Sequence, residues 1–188
     1  PITMLNSCYK MLATVMSLRT EQVLDDLIDP DQTGFMSGRY ICDNIRLLMD
    51  TLHYCNTEQL QGAIIMLDLE KAYDRVDHDW VFKSLKEHNF GENFISWVKL
   101  MYHSARKKFI CNGQLTDWVP VESGVPQGCP FSCYIFILSI EPLHAHMRAK
   151  TECQGITLPG GQEVKTSGFA DDTALYVANP KALEAYRD

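Results

Sequence analysis

The chain has 188 residues, of which 46% are hydrophobic and 22% are charged, with 17 Lys and Arg against 24 Asp and Glu. This composition excludes a disordered or low-complexity chain, and the length fits one domain or two small ones. The formal charge of −7 argues against a protein that coats nucleic acid through a basic surface, although carboxylates that hold metal ions add negative charge of their own.

Cysteine usage and hydropathy indicate where the protein works. The seven cysteines include no Cys-x-x-Cys pair, which favours reduced thiols over a disulfide framework or a zinc site. No apolar stretch approaches the roughly 20 residues of a membrane span, and no signal peptide is visible. We therefore expect an intracellular protein that is not secreted and does not contact a membrane. Because the first residue is Pro1 rather than Met, we also expect a piece of a longer chain.

The N-terminal third predicts two helices and a strand. Apolar residues recur near a 3.6 period over residues 4–28, and the segment Asp29-Pro30-Asp31 ends this helix. After a glycine-containing loop, residues 43–51 again have a helical pattern. The almost continuous apolar run over residues 62–69 is typical of a strand buried on both faces.

The middle of the chain predicts two short helices and a hairpin. Residues 79–88 fit a helix with Asp79 as its N-cap, and residues 93–102 fit another. Asn112-Gly113 suits the two positive-φ positions of a type I′ turn, which predicts a hairpin over residues 107–121.

The C-terminal third predicts a long helix followed by short strands. A buried helix is expected over residues 132–149, with Ser132 as its N-cap and a kink or an interruption at Pro142. Three strands follow at residues 156–158, 163–169 and 173–177. Because helices and strands are mixed without strict alternation, the predicted class is α+β with an antiparallel sheet.

Acidic residues stand where two of the apolar strands end. Asp68 interrupts the first strand, and Asp171 with Asp172 lies in the turn between the last two. These positions meet if the strands are neighbours, and carboxylates gathered in this way suit Mg²⁺. The alternatives stay open at this point, because an Asp-Asp pair is a common turn former and Asp68 alone also suits a strand-end acid or a helix N-cap.

A glycine- and proline-containing loop at residues 124–130 precedes the long helix. Gly128 permits the close approach of another backbone or a base. The amide of Gln127 offers a donor and an acceptor together, which suits a nucleotide or a template strand. Taken alone, the loop is explained as well by the start of a capped helix.

Three motifs, in this order along the chain, resemble the central motifs of reverse transcriptases, in particular those of non-LTR, LINE-type retrotransposons. They are residues 68–74 (Asp-Leu-Glu-Lys-Ala-Tyr-Asp), 124–128 (Gly-Val-Pro-Gln-Gly) and 169–172 (Phe-Ala-Asp-Asp). Pro1-Ile2 and residues 31–39 are similar as well, so the resemblance covers nearly the whole chain.

This resemblance implies a fold and a reaction. The fold is a right-hand polymerase with an antiparallel palm sheet flanked by helices. Residues 1–188 would form a partial reverse transcriptase domain, with part of the fingers over about 1–60 and the palm over about 61–188, and with thumb and endonuclease absent. The reaction is RNA-directed DNA polymerisation, in which a primer 3′-OH attacks the α-phosphate of a dNTP. Because the missing ends would carry phosphate-binding residues, we expect the fragment alone to be inactive.

The resemblance also implies the catalytic groups. Asp68, Asp171 and Asp172 match the catalytic acids. Asp68, Asp171 and the backbone carbonyl of Leu69 match the ligands of two Mg²⁺ ions, for which Mn²⁺ is a substitute. Positioning and charge neutralisation would supply most of the catalysis.

Four further residues have implied contacts with substrates. Tyr73 matches the position whose ring crowds the sugar 2′ carbon and excludes ribonucleotides, with an ordinary core aromatic as the alternative. Gln127 and Gly128 would line the nucleotide and template pocket. Arg39 is a weaker candidate for a phosphate or template contact, and an exposed arginine at a helix start is the equal alternative.

The implied partners are an RNA template, a DNA primer and dNTPs, and the expected location is the nucleus or the cytoplasm. Two other hypotheses stay open: a non-catalytic, nucleic-acid-binding remnant of a polymerase fold, and a group II intron-type reverse transcriptase, which shares the chemistry. His144-x-His146 is a candidate metal pair. Residues two apart on a helix do not face each other, so a polar helix end is the preferred interpretation.

Overall fold

A computed structural model describes residues 3–187, so that Asp188 and the Pro1-Ile2 part of the motif resemblance lie outside the described residues. The helices of this part are α1 (Ser7–Leu27), α2 (Ile41–Thr57), α3 (Ala72–Arg75), α4 (His78–Glu87), α5 (Glu92–Tyr102), α6 (Ser132–Ala149) and α7 (Pro180–Arg187). The strands are β1 (Ala63–Leu67), β2 (Arg106–Lys107), β3 (Ile110–Cys111), β4 (Gln114–Leu115), β5 (Val119–Pro120), β6 (Ile156–Thr157), β7 (Glu163–Val164), β8 (Thr166–Phe169) and β9 (Asp172–Val177).

The described chain forms two compact units. The first contains the described residues up to Thr20 together with Lys71–Ser139, and the second contains Glu21–Glu70 together with the described residues from Ile140 onwards. Helices α1 and α6 therefore contribute residues to both units. The predicted boundary between fingers and palm near residue 60 stays a prediction, because compact units are not functional subdomains.

The second unit is built on a three-stranded antiparallel sheet in which β9 lies between β1 and β8. Successive side chains of a strand point to opposite faces, and both faces of β9 are buried. One face contributes to a cluster of Met147, Leu175, Val177 and Ala182. The other contributes to a cluster of Ile156, Val164, Ala174 and Tyr176. Helices α6 and α7 thus cover one face, and the β6–β7 ribbon with part of α2 covers the other.

The prediction that the first strand is buried on both faces is wrong. Ile64 and Ile65 of β1 are half-buried, whereas Met66 and Leu67 are exposed. The reason is position: β1 is an edge strand, and its last residues extend beyond the clusters that cover β9. An apolar run predicts a strand, but it does not tell whether the strand is central or at an edge.

The first unit has a helical core. Helices α4 and α5 pack together through residues such as Val81, Leu85 and Val98, all buried. Trp80 donates its indole N–H to the Ser139 carbonyl, and the Ser84 hydroxyl donates to the Leu138 carbonyl.

These two bonds explain how α6 continues through a proline. Pro142 lacks the N–H that would bond the Leu138 carbonyl, and its ring disturbs the same turn. Ser84 and Trp80 supply donors to the carbonyls of that turn. The predicted helix bounds of 132–149 are therefore confirmed despite the internal proline.

The hairpin prediction is confirmed, whereas two caps, one strand and the place of Asp172 are wrong. The single strand predicted over residues 163–169 is divided into β7 and β8, which pair in different sheets, and Asp172, predicted in the turn, is the first residue of β9. The hairpin forms, with Asn112 and Gly113 both at positive φ. The N-cap of α4 is Asp77 rather than Asp79, because the Asp77 carboxylate accepts the Trp80 N–H at 2.8 Å and Asp79 lies inside the helix. Ser132 is likewise the first helical residue of α6 and not its N-cap. None of the described helices is long and apolar enough to span a bilayer.

Candidate active site

The predicted catalytic acids gather at one end of the sheet of the second unit. Strands β1 and β9 are antiparallel neighbours with Leu67 opposite Thr173, so the register continued by one residue places Asp68 opposite Asp172. Asp171 lies in the turn that joins β8 to β9. The prediction that the two acidic strands are neighbours is confirmed, whereas the catalytic roles of these residues stay predictions.

This end of the sheet suits a hard cation. The side chains of Asp68 and Asp172 are exposed and Asp171 is half-buried, so their carboxylates remain open to solvent and to a ligand. The predicted ligands, the carboxylates of Asp68 and Asp171 and the carbonyl of Leu69, are all oxygen donors. Such a set fits Mg²⁺ or Mn²⁺, which bind through few protein oxygens and complete their shell with phosphate and water.

The turn that carries Asp171 is held from outside the sheet. Thr33 donates its backbone N–H to the carbonyl of Gly168 at 2.8 Å, and Asn44 donates its side-chain amide to the same carbonyl at 2.8 Å. Gln32 makes hydrogen bonds with both backbone groups of Ala170. The loop over residues 31–34 therefore pairs with the free edge of β8.

A buried ionic cluster lies beside this loop. Arg148 donates to both carboxylate oxygens of Asp31 at 2.9 Å and also forms an ion pair with Glu141. His144, fully buried, lies 3.2 Å from the hydroxyl of Thr173 through its Nε2 atom. Burial raises the pKa of Glu141, against the opposing effect of Arg148. Burial lowers the pKa of His144, which favours the neutral ring.

Among the described residues, the ligand atoms of Asp31, Glu141 and His144 come within 4.8 Å of one another, as metal ligands do. This group is different from the predicted ligand set. Arg148 already supplies a positive charge here, and both oxygens of Asp31 accept its hydrogen bonds. We therefore interpret the cluster as an ionic network that supports the sheet.

The first unit carries the residues predicted to contact the nucleotide. Tyr73 is half-buried and its ring stacks on Phe136 at 4.7 Å between centroids. The backbone N–H of Val125 donates to the Tyr73 carbonyl at 2.8 Å. Gln127 and Gly128 are exposed two and three residues farther along the same loop.

A close backbone approach is found at Gly124, four residues before Gly128, whose own predicted contact stays a prediction. Gly124 has a φ of 86°, and a Cβ there would lie 2.8 Å from the carbonyl oxygen of Asp74. Only glycine allows this contact, which fixes the loop against the segment that carries Tyr73.

Arg39 is placed differently from the exposed arginine offered as its alternative. Its side chain is 16% exposed and donates to the carbonyls of Ile28, Asp29 and Gln32. These contacts satisfy carbonyls just after the end of α1, which gives Arg39 a structural role. Its contact with phosphate or template stays a prediction.

Sequence reasoning missed the polar residues that support the acidic turn. The interpretation of His144 as part of a polar helix end is wrong, because the ring is fully buried. One signal was present: Glu141, His144 and Arg148 are spaced by three and four residues, which places them on one face of an apolar helix. For Gln32 and Asn44 no local pattern gives such a signal.

Comparison with known proteins identifies the family. The model of the reverse transcriptase (RNA-dependent DNA polymerase) family matches residues 1–188, and the chain belongs to this family. The prediction from the three motifs is confirmed. The chain is 37% identical over 184 residues to the transposon TX1 uncharacterized 149 kDa protein of Xenopus laevis, with 98% of this chain and 14% of that protein covered. It is 22% identical over 188 residues to the Pol polyprotein of the Drosophila melanogaster retrotransposable element R2DM, with 100% and 17% covered. The chain thus spans about a sixth of these relatives.

Solved structures support the fold. The telomerase of Candida albicans, in complex with a fragment of telomeric RNA, is similar with a TM-score of 0.63 and 12% identity, over 95% of this chain and 32% of that one. The apo telomerase of Candida tropicalis gives 0.61 and 12%, over 96% and 33%. The predicted α+β polymerase fold is confirmed. Members of the reverse transcriptase family use divalent metal ions.

Proposed function

We propose that the protein containing this chain is the reverse transcriptase of a non-LTR retrotransposon, which extends a DNA primer along an RNA template with dNTPs. The observation that carries the proposal is the pairing of β1 with β9, which puts Asp68 at the same sheet end as Asp171 and Asp172. Family membership over residues 1–188 supports the same reaction.

The acids would hold the ions and set the geometry of transfer. Asp68, Asp171 and the carbonyl of Leu69 are the proposed ligands, and Asp172 adds negative charge beside them. When two Mg²⁺ ions are bound, they stabilise charge on the attacking and leaving oxygens. The contribution of the chain is to hold its carboxylates in fixed positions, because positioning and electrostatics dominate catalysis of phosphoryl transfer.

The residues of the first unit would select the nucleotide. The ring of Tyr73, fixed by stacking on Phe136, is proposed to exclude a 2′-hydroxyl. Gln127 and Gly128 would contact the nucleotide and the template strand. We propose that the protein works in the nucleus or the cytoplasm and that the 188 residues alone lack activity.

Primer extension tests the proposal. The complete open reading frame that contains this chain is assayed on a primed RNA template with dNTPs and Mg²⁺, beside Asp171→Asn and a matched control, Asp26→Asn, at an exposed helix position. We expect extension by the wild type and by the control, and a loss of at least about 10³-fold for Asp171→Asn, because the variant loses a ligand charge. RNA binding without any extension by the wild type would instead favour a non-catalytic remnant. Equal extension by all three would refute the assignment of the acid.

A further inference from the structure

The turn before Asp171 has an unusual backbone. Ala170 has a φ of 58°, in the left-handed region that residues other than glycine, asparagine and aspartate rarely adopt. Phe169 pairs with Asp172, so Ala170 and Asp171 are the two residues of the turn. The direction in which Asp171 leaves the sheet therefore depends in part on the backbone conformation of Ala170.

Gln32 bonds both backbone groups of Ala170. Its Oε1 atom accepts the Ala170 N–H at 2.9 Å, and its Nε2 atom donates to the Ala170 carbonyl at 3.2 Å. Oε1 also accepts the N–H of Gly34 at 2.8 Å. The side chain is fully buried. A primary amide offers a donor and an acceptor side by side, which matches the two backbone groups of Ala170.

The backbone around Gln32 is fixed as well. Gly168 donates its N–H to the Asp31 carbonyl at 2.7 Å and accepts from Thr33, so the loop forms a parallel bridge with β8. The carboxylate of Asp31 is in turn held by Arg148. These bonds fix the backbone on both sides of Gln32, so its side-chain amide is held in place beside the turn.

We propose that Gln32 is a positioning residue that holds the Ala170–Asp171 turn in its left-handed conformation and so fixes the carboxylate of Asp171 for metal binding. The inference rests on the proposed function for its catalytic consequence, but not for the contact itself. Gln32 bonds the turn backbone and has no part in the chemistry. Without it, Ala170 would relax towards an ordinary negative φ, and the Asp171 carboxylate would move.

The test separates positioning from general stability. The complete protein is prepared as wild type, Gln32→Leu and Gln32→Glu, with Thr20→Ala as a control that removes an equally buried hydrogen bond in the first unit. Two quantities are measured: the Mg²⁺ concentration at half-maximal extension, and the hydrogen-exchange rate of the Ala170 amide. Extension rates are normalised to the folded fraction.

We expect Gln32→Leu to exchange the Ala170 amide at least about tenfold faster and to need several-fold more Mg²⁺. Gln32→Glu keeps the acceptor but loses the donor to the Ala170 carbonyl, so its effect should be smaller at the amide. Thr20→Ala should alter neither quantity. If Gln32→Leu has an unchanged Mg²⁺ requirement, Gln32 has no positioning role and is only a residue of the core. If the exchange rate of the Ala170 amide is unchanged, the hydrogen bond from Ala170 to Gln32 is refuted. If the wild type has no activity, the proposed function fails. The exchange rate of the Ala170 amide still tests whether Gln32 holds the turn.

Discussion

The loop that supports the acidic turn allows no added side chain at Gly34. A Cβ built on Gly34 would lie 2.1 Å from the backbone nitrogen of Ala170 and 2.9 Å from the carbonyl carbon of Phe169. Ordinary van der Waals contact begins at 3.4 Å, so Gly34→Ala requires the two segments to separate by about 1.3 Å at the tightest point. Because the contacted atoms are backbone, no side-chain rotation relieves the overlap.

This separation has a cost in stability and a comparable cost in catalysis. Overpacking of this kind destabilises by about 1–3 kcal/mol. The moving segment carries Asp171, and misplacement of a reactive centre by about 1 Å lowers rates by roughly 10²-fold. We therefore expect Gly34→Ala to reduce the extension rate about 100-fold while the protein remains folded.

Steady-state primer extension by the complete protein measures the effect, with circular dichroism and thermal melting as the check on folding. Gly91→Ala is the matched control, since a Cβ at Gly91 meets nothing within 4 Å. The control should stay within about twofold of the wild type. If Gly34→Ala also extends primers within twofold of the wild type, the tight approach of the loop to the turn is refuted.

Two further predictions concern the ionic cluster. Arg148→Met leaves the buried carboxylate of Glu141 and the partly buried carboxylate of Asp31 without their counter-charge. We therefore expect the free energy of hydrogen-exchange protection in β8 and β9 to fall by about 3 kcal/mol, and a fall below about 1 kcal/mol would contradict this account. The lowered pKa of His144 means that its contribution to stability is present above pH 6.5, the ordinary value, and is lost as the pH falls from there towards the folded-state pKa. Denaturant unfolding between pH 7.5 and 5.5 should show this loss, with a slope of at most about 1.4 kcal/mol per pH unit for one proton, and His144→Gln should remove it. If the free energy of unfolding has the same pH slope in the wild type and in His144→Gln, a group other than His144 takes up the proton.

Strand pairing between the acidic segments could be predicted from the sequence. Apolar runs with strand signals end at Asp68 and before Asp171, and the motif resemblance supplied the reason to bring them together. The bounds of α6 were predictable for a similar reason, since its apolar pattern is long. What the pattern did not reveal is why Pro142 is tolerated, because the compensating donors lie on α4.

The predictions of the α4 cap and of the burial of β1 were wrong because the sequence allows several local arrangements of similar chemistry. Asp77 and Asp79 are both acids near the start of α4, and only the backbone conformation decides that Asp77 is the cap. The exposure of β1 depends on its place in the sheet, which no property of residues 63–67 encodes. Such alternatives differ little in sequence, but they decide where a helix begins and which side chains of a strand are exposed to solvent.

The support of the acidic turn was unpredictable for a different reason. Gln32 and Ala170 are separated by 138 residues, and neither belongs to a periodic pattern that would relate them. A buried polar residue costs free energy unless it is hydrogen-bonded, and Gln32 bonds both the turn and the backbone N–H of Gly34. The positive φ of Ala170 is in turn supported by the two bonds from Gln32. The buried Gln32 and the strained turn at Ala170 are each unfavourable alone and are stabilised by contact with each other. Short motifs in the sequence therefore predict a role for Asp68 and Asp171, whereas the contacts that support the turn of Asp171 are visible only in the folded chain.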